Sequence, residues 1–229
     1  MSSVTTAEVR LTAADGWLLG GLLSKPAVDA DDATGVPGAL LVPASRHERD
    51  AFTTIAVALA QRGVASLRLD VRGRGTSRGA TSYARMTPRQ RERVALDVTA
   101  AFEHLAGAVD GGRLALGAEQ DTAADALGAV GGDERLRAVV LLSVRHGARC
   151  AEAVGRRSLP VFGLVSKEDR EGLRATVDAY LASESGPSRL EVFDGLGFGT
   201  TMLSARQFEH PDAEPLEEMV AGWLAARLA

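Results

Sequence analysis

Short apolar runs alternate along the chain with longer segments of helical periodicity. Residues 38–42 (GALLV) form an unbroken apolar run, which is typical of a strand buried on both faces. Residues 7–13 and 17–23 are predicted strands that flank Asp15 and Gly16, a pair that favours a hairpin turn. The other predicted strands are residues 64–69, 113–117, 136–143, 159–166 and 190–193, and the predicted helices are residues 50–62, 88–104, 119–130, 170–183 and 213–227.

A hairpin followed by repeated strand–helix units predicts an α/β fold with a mostly parallel central sheet and helices on both faces. We expect a single domain over residues 1–229, and a loop over the polar segment 26–37. Ligands bind such sheets at the carboxyl ends of the strands. The candidate chemistry is therefore expected in the loops that begin at Pro43, Asp70, Ala118, Val144, Lys167 and Asp194.

Composition and charge exclude several classes of protein. The 229 residues include 26 basic and 30 acidic ones, a net charge of −4, so we expect no nucleic-acid partner. We find neither a long apolar run nor a basic, apolar leader, which predicts a cytoplasmic protein without a membrane partner. The lone Cys150 excludes an intramolecular disulfide and a cysteine-built zinc site. No pattern indicates a metal, nucleotide or flavin, so we predict no cofactor.

Several segments carry a pattern known from one enzyme family. Residues 38–78 contain an apolar strand, a loop and the motif D-x-R-G-x-G-x-S at residues 70–77, and Asp97 follows in a predicted helix. Residues 161–169 and 195–203 (GLGFGTTML) continue the pattern. Over nearly its whole length the chain resembles α/β-hydrolases of the dienelactone hydrolase or serine aminopeptidase kind. The resemblance implies the α/β-hydrolase fold, and the short segment between the predicted strands 136–143 and 159–166 implies that there is no cap domain.

The catalytic triad of these enzymes is not matched. Their nucleophilic Ser lies in G-x-S-x-G, and the acid and the His follow later in the chain. The corresponding segment here is residues 117–121 (GAEQD), which puts Glu119 at the nucleophile position and Asp121 at the second Gly. Phe198 stands where the family has His. The resemblance implies that only the acid of the triad is kept, as Asp169. Because loss of the nucleophile or base costs on the order of 10⁶ in rate, Ser-His-Asp hydrolysis is excluded at these positions.

Glu119 has two interpretations. It comes at the end of a strand and the start of a helix, where free N–H groups favour a carboxylate. It is then either a helix cap or a catalytic group at the pocket floor, acting as general base or cation anchor. If Asp169 shared this pocket, repulsion would raise one pKa and create an acid–base pair. Without a His to orient, Asp169 is otherwise a solvated or capping residue.

Other polar residues follow strands at the same edge of the sheet. His47 and His146 are candidates for a relocated base, with Ser45 or Ser143 nearby in sequence. Phe198 is predicted to be a hydrophobic plug or an apolar binding wall. The residues expected to bind substrate are Ala44, Ser45, His47, Gln120, Asp121, His146 and Phe198.

Arg72 and Arg74 lie within the motif at residues 70–77. We expect them to form structural salt bridges, because the segment matches neither G-x-x-x-x-G-K-[ST] nor G-x-G-x-x-G.

Three functions remain open. The first is a repurposed, non-hydrolytic enzyme (a cyclase, isomerase or lyase) that uses Glu119 for acid–base chemistry on a small metabolite. The second is a catalytically inactive scaffold that binds a ligand or a protein. The third is a hydrolase with a relocated base at His47 or His146. The high Ala, Gly and Arg content is typical of a GC-rich bacterium and of a role in specialised biosynthesis. We expect a small-molecule ligand and a monomer or homodimer.

Overall fold

A computed structural model describes residues 4–27, 35–79, 81–183 and 187–229. Most of the predicted loop 26–37 lies outside the described residues. The strands in the described ranges are β1 Val4–Thr12, β2 Leu18–Pro26, β3 Gly38–Val42, β4 Ala65–Asp70, β5 Leu114–Glu119, β6 Leu136–Leu142, β7 Val161–Ser166 and β8 Arg189–Phe193. The α-helices are α1 Thr53–Gln61, α2 Pro88–Arg91, α3 Val94–Ala108, α4 Ala123–Val130, α5 Gly147–Gly155, α6 Arg170–Leu181, α7 Thr201–Glu209 and α8 Leu216–Leu228.

The strands form one sheet in the order β1-β2-β4-β3-β5-β6-β7-β8. Strand β2 pairs antiparallel with β1 and β4, and the remaining pairs are parallel, so the predicted mostly parallel sheet is confirmed. Gly16 has φ +83° in the hairpin turn between β1 and β2, which only glycine adopts at low cost. Strands β3 and β5 are neighbours, with Val42 opposite Ala118, so the loops that follow them meet at the carboxyl edge.

Apolar residues cover both faces of this sheet. One face packs against α3 to α6, with Val98 and Leu127 in its core. The other packs against α1, α7 and α8, with Ile55 and Val220 in its core. All five residues of β3 are buried, which explains why its sequence is continuously apolar instead of alternating.

Several helices differ from the prediction. The helix expected at residues 119–130 begins only at Ala123, because β5 runs on to Glu119 and a short 3₁₀ turn follows. The helix expected at residues 88–104 is two helices, α2 and α3. Helices α5 and α7 were not predicted, since each is nine residues long and buries only two or three side chains. Helix α5 occupies the fully described segment between β6 and β7, so no cap domain lies there.

Candidate functional site

The Glu119 carboxylate lies fully buried at the carboxyl end of β5, within a shell of hydrogen-bond donors. Its Oε2 accepts the backbone N–H of Ala44 at 3.0 Å and lies 3.1 Å from His47 Nδ1. Its Oε1 accepts the backbone N–H of Thr200 at 2.8 Å and the Thr200 hydroxyl at 3.1 Å. The Gln120 side-chain amide donates to Oε1 at 3.2 Å. Both oxygens of the carboxylate are therefore fully hydrogen-bonded, and these bonds compensate for the loss of hydration on burial.

Two loops converge on Glu119 at the end of β5. The loop after β3 carries Ala44 and His47, and it meets the end of β5 because those strands are paired. The loop after β8 brings Thr200 across the top of the sheet. Gly199 makes this approach possible: its φ is +57°, and a Cβ there would lie 2.0 Å from Glu119 Oε1. Only glycine fits at this position.

The surroundings of Glu119 set its charge. Burial on its own raises the pKa of the carboxyl, but the hydrogen bonds from His47 and from the N–H groups of Ala44 and Thr200 outweigh it and lower the pKa below its ordinary value of 4.5. Glu119 is therefore ionised at neutral pH and is a weak base. A carboxylate of this kind suits orienting a neighbour better than removing a proton.

That neighbour is His47. Its side chain is 23% exposed and lines an open cavity of about 530 Å³ that Arg46, Thr200 and residues of α1 and α7 also line. A carboxylate at Nδ1 holds the ring in the tautomer with Nδ1 protonated and leaves Nε2 as the basic nitrogen. In the described part of the chain no protein group bonds Nε2, so this nitrogen remains for a ligand.

The strained turn after β5 is one residue later than the sequence motif indicated. Gln120 has φ +48°, whereas Glu119 has φ −122° and is ordinary extended backbone. In α/β-hydrolases the nucleophile sits on this strained turn between strand and helix. Gln120 therefore occupies the turn, and the assignment of Glu119 to it is corrected, because β5 includes Glu119. The side chain of Gln120 is a carboxamide, which is not a nucleophile. The turn after β5 therefore carries no Ser nucleophile, as the sequence indicated.

The backbone N–H groups of the loop after β3 are already occupied. In hydrolases of this fold, an N–H of this loop helps to stabilise the oxyanion of the tetrahedral intermediate. Here the N–H of Ala44 donates to Glu119, and the N–H of Ser45 donates to Asp121 Oδ1 at 3.1 Å. Two acidic side chains thus fill the place where a substrate oxyanion would bind, which argues against acyl transfer.

Asp169 has different partners from those of a triad acid. It caps α6 by accepting the N–H of Gly172 at 3.0 Å, and Arg145 Nη1 donates to it at 2.8 Å. These contacts match the capping interpretation. The described residues show no contact between Asp169 and Glu119, so the acid–base pair considered from the sequence has no geometric support.

His146 and Phe198 also lie apart from the Glu119 cluster. His146 immediately precedes α5, has φ +58°, and lines a second cavity, of about 510 Å³, between α5 and α6. Phe198 is 40% exposed, so it is not a buried plug. Flanking glycines with positive φ, Gly197 and Gly199, turn this loop so that Thr200, and not Phe198, reaches the carboxylate.

Sequence reasoning missed Arg46 and Thr200. Arg46 donates through Nη2 to Gln120 Oε1 at 2.8 Å, and its only sequence signal was its place beside His47. Thr200 lies two residues after Phe198, within a segment that the family pattern had already singled out.

Other kinds of site have little support. Burial raises the pKa of the Cys150 thiol to about 12, so this cysteine is not a thiolate nucleophile. Among the residues that the structure covers, no group of three or more His, Cys, Asp or Glu could hold a metal ion. Within the same ranges, no helix has the length and apolar character needed to cross a bilayer.

Solved structures share this architecture. A dienelactone hydrolase from Anabaena variabilis is 16% identical, with a TM-score of 0.71 and 99% of both chains covered. A cold-adapted esterase from an Arctic intertidal metagenomic library is 17% identical, with a TM-score of 0.68 over 99% of this chain and 95% of the other. A hypothetical protein from Pseudomonas aeruginosa is 14% identical, with a TM-score of 0.73 over 100% and 95%. No family model matches the chain, and no curated protein matches it in sequence. The strand order, the two helical layers and these structural neighbours together show that the chain has the α/β-hydrolase fold.

Proposed function

We propose that this protein is a repurposed acid–base enzyme, in which His47 moves the proton and Glu119 orients His47. The observation that carries the proposal is the 3.1 Å contact between His47 Nδ1 and Glu119 Oε2, which joins a fully buried carboxylate to a ring on a cavity wall. The sequence alone suggested Glu119 as the base. Its lowered pKa and complete set of donors favour His47 in that role instead.

The reaction class follows from the groups present. A substrate in the cavity would lose a proton to His47 Nε2, and the imidazolium formed would be stabilised by the Glu119 carboxylate behind it. The bonding pair left on the substrate would shift into a new double bond or expel a leaving group. His47 would then return the proton to another substrate atom or to the leaving group. This sequence describes an isomerisation, cyclisation or elimination.

A second candidate, the inactive scaffold, is favoured by one observation. Glu119 is wholly enclosed, and the N–H groups of Ala44 and Ser45 are both occupied by side chains. A site closed in this way suits binding without chemistry. The two candidates differ in whether His47 exchanges a proton with a bound compound.

The test uses 5-nitrobenzisoxazole, whose ring opens when a base removes one proton, together with the ester p-nitrophenyl acetate. General-base catalysis contributes about 10²–10⁴ in rate, so His47→Gln is expected to slow the ring opening at least tenfold. His146→Gln is the matched control, because His146 also follows a strand but lines the other cavity. The control should keep the wild-type rate.

Each outcome decides between the candidates. Loss of ring opening in His47→Gln alone supports the proposed role of His47. Equal ring-opening rates in the wild type and His47→Gln overturn it and favour the scaffold. Hydrolysis of p-nitrophenyl acetate that vanishes in His47→Gln, without any ring opening, overturns it in favour of a hydrolase with a relocated base.

A further inference from the structure

Arg46 is the cation of the cavity that His47 lines. Arg46 lines this cavity, and its guanidinium group donates through one nitrogen, Nη2, to Gln120 Oε1 at 2.8 Å. In the part of the chain that the structure describes, no carboxylate lies within 4.0 Å of this guanidinium. Arginine presents five N–H donors, so several remain for a bound group. The guanidinium thus offers an unused positive charge.

The two acidic residues on the same cavity wall have cations of their own. Glu48 lies 4.0 Å from Arg78 and accepts the N–H of Gly75 at 3.3 Å. Asp50 lies 3.6 Å from Arg68. Neither carboxylate lies within 4.0 Å of the Arg46 guanidinium, so this arginine has no carboxylate partner among the described residues that line the cavity.

Gln120 positions Arg46 relative to the base. The Gln120 amide donates through Nε2 to Glu119 Oε1, and this bond turns its oxygen towards Arg46. Glu119 therefore orients His47 directly and Arg46 through Gln120. His47 and Arg46, two adjacent residues of one loop, are thus both oriented by the same buried carboxylate. A ligand paired with Arg46 would lie next to His47.

From this geometry we propose that the cavity binds a small anionic substrate, whose carboxylate or phosphate group pairs with Arg46. Thr54 and Ser204 also line this cavity. Their hydroxyl groups bond no other described residue, so they remain for hydroxyl or oxo substituents on that substrate. The role of His47 in this inference rests on the proposed function, whereas the binding of the anion does not.

The test measures anion binding without turnover. Protein labelled with ¹³C-histidine is titrated with acetate and, separately, with inorganic phosphate, at an ionic strength held constant with sodium chloride. The Cε1–H signal of His47, assigned with the His47→Gln variant, should shift and saturate. In Arg46→Gln the affinity should fall at least about tenfold, because hydrogen bonds to charged groups are among the strongest. Arg85→Gln, an exposed arginine that lines a different cavity, is the control and should bind like the wild type.

The outcomes distinguish a carboxylate ligand from a phosphate ligand, and they distinguish anion binding at Arg46 from the proposed function of His47. Saturation by acetate alone, or by phosphate alone, supports the inference and names the acidic group. Binding of neither anion overturns it, as does binding that Arg46→Gln leaves unchanged. The proposed function fails on another measurement, namely an unchanged rate of ring opening in His47→Gln.

Discussion

Two buried carboxylates, Asp97 and Glu119, are held in opposite ways. Asp97 accepts the backbone N–H of Arg72 at 2.8 Å and its Nη2 at 2.6 Å, and both side chains are sealed from solvent. Glu119 contacts a histidine whose ring is 23% exposed on a cavity wall. Arginine keeps its charge at every accessible pH, whereas histidine gains and loses a proton near neutrality. The comparison teaches that two equally buried carboxylates differ in what they are joined to: the partner of Asp97 is closed off from solvent, whereas the partner of Glu119 lies open to a cavity.

The Asp97 network has a structural role. Arg72 also binds Asp15 in the hairpin turn, at 2.9 Å, and thereby ties the loop after β4 to α3 and to the first two strands. The Arg72 hydrogen bond outweighs the effect of burial and holds the pKa of Asp15 at about 2. The predicted salt bridge of Arg72 is confirmed. Arg74 instead donates to the backbone oxygen of Ser45.

The largest expected effect comes from breaking the structural network. Asp97→Ala leaves the Arg72 charge buried with less compensation, so the free energy of unfolding should fall by about 3–5 kcal/mol. Urea unfolding at pH 7 measures this loss. Asp15→Asn, which leaves the Asp97 bonds in place, should have the smaller effect, and it remains measurable if Asp97→Ala does not fold. A smaller loss in Asp97→Ala than in Asp15→Asn would contradict this account.

The next effect concerns Glu119 and depends on pH. Because folding lowers the pKa of Glu119 below 4.5, its charged form stabilises the native state, fully above about pH 5. That contribution is lost as the pH falls through the folded-state pKa. Glu119→Gln should therefore lower the free energy of unfolding by about 1–3 kcal/mol at pH 7, and the deficit should shrink at pH 4 and pH 3.

Urea unfolding across this pH series measures the deficit. Glu103→Gln is the control, because the pKa of Glu103 is also lowered, by Arg135, but its side chain is 57% exposed. An exposed ion pair contributes only about 0–1 kcal/mol, so this variant should show little pH dependence. A deficit for Glu119→Gln that is constant from pH 7 to pH 3 would contradict the assigned charge.

The smallest effect is expected at Phe198. A ring that is 40% exposed has little contact to lose, so Phe198→Ala should change the free energy of unfolding by less than about 1 kcal/mol. The matched control is Phe102→Ala, which removes a fully buried ring and should cost about 3–5 kcal/mol. Similar losses for the two variants would restore the interpretation of Phe198 as a plug.

Prediction from the sequence worked best where local pattern and burial agree. The apolar run of β3, the hairpin at Asp15 and Gly16 and the mostly parallel sheet were all predicted, since each depends on periodicity or turn chemistry. Helices α5 and α7 were missed because short helices with few buried residues carry a weak periodic signal. The turn after β5 was predicted one residue too early, because a sequence motif depends on residue types and does not show where the strand ends.

Within the candidate site, the sequence placed Ala44, Ser45, His47, Glu119 and Asp121 at one edge of the sheet. It did not show which of them pair. His47 and His146 were equivalent in sequence, as both follow strands. Only the structure distinguishes them, since His47 meets Glu119 and His146 lies at the start of α5.

The sequence by itself determined the layers of the fold, the absence of a Ser nucleophile at the turn after β5 and the edge of the sheet where polar residues gather. These properties follow from residue type and from spacings of a few positions. The tertiary structure alone decided that Glu119 pairs with His47, 72 positions away, and with Thr200, 81 positions away, and that Asp169 pairs with Arg145 instead. A hydrogen bond forms only within about 3 Å, and which distant residues come that close is set by strand order and loop conformation together.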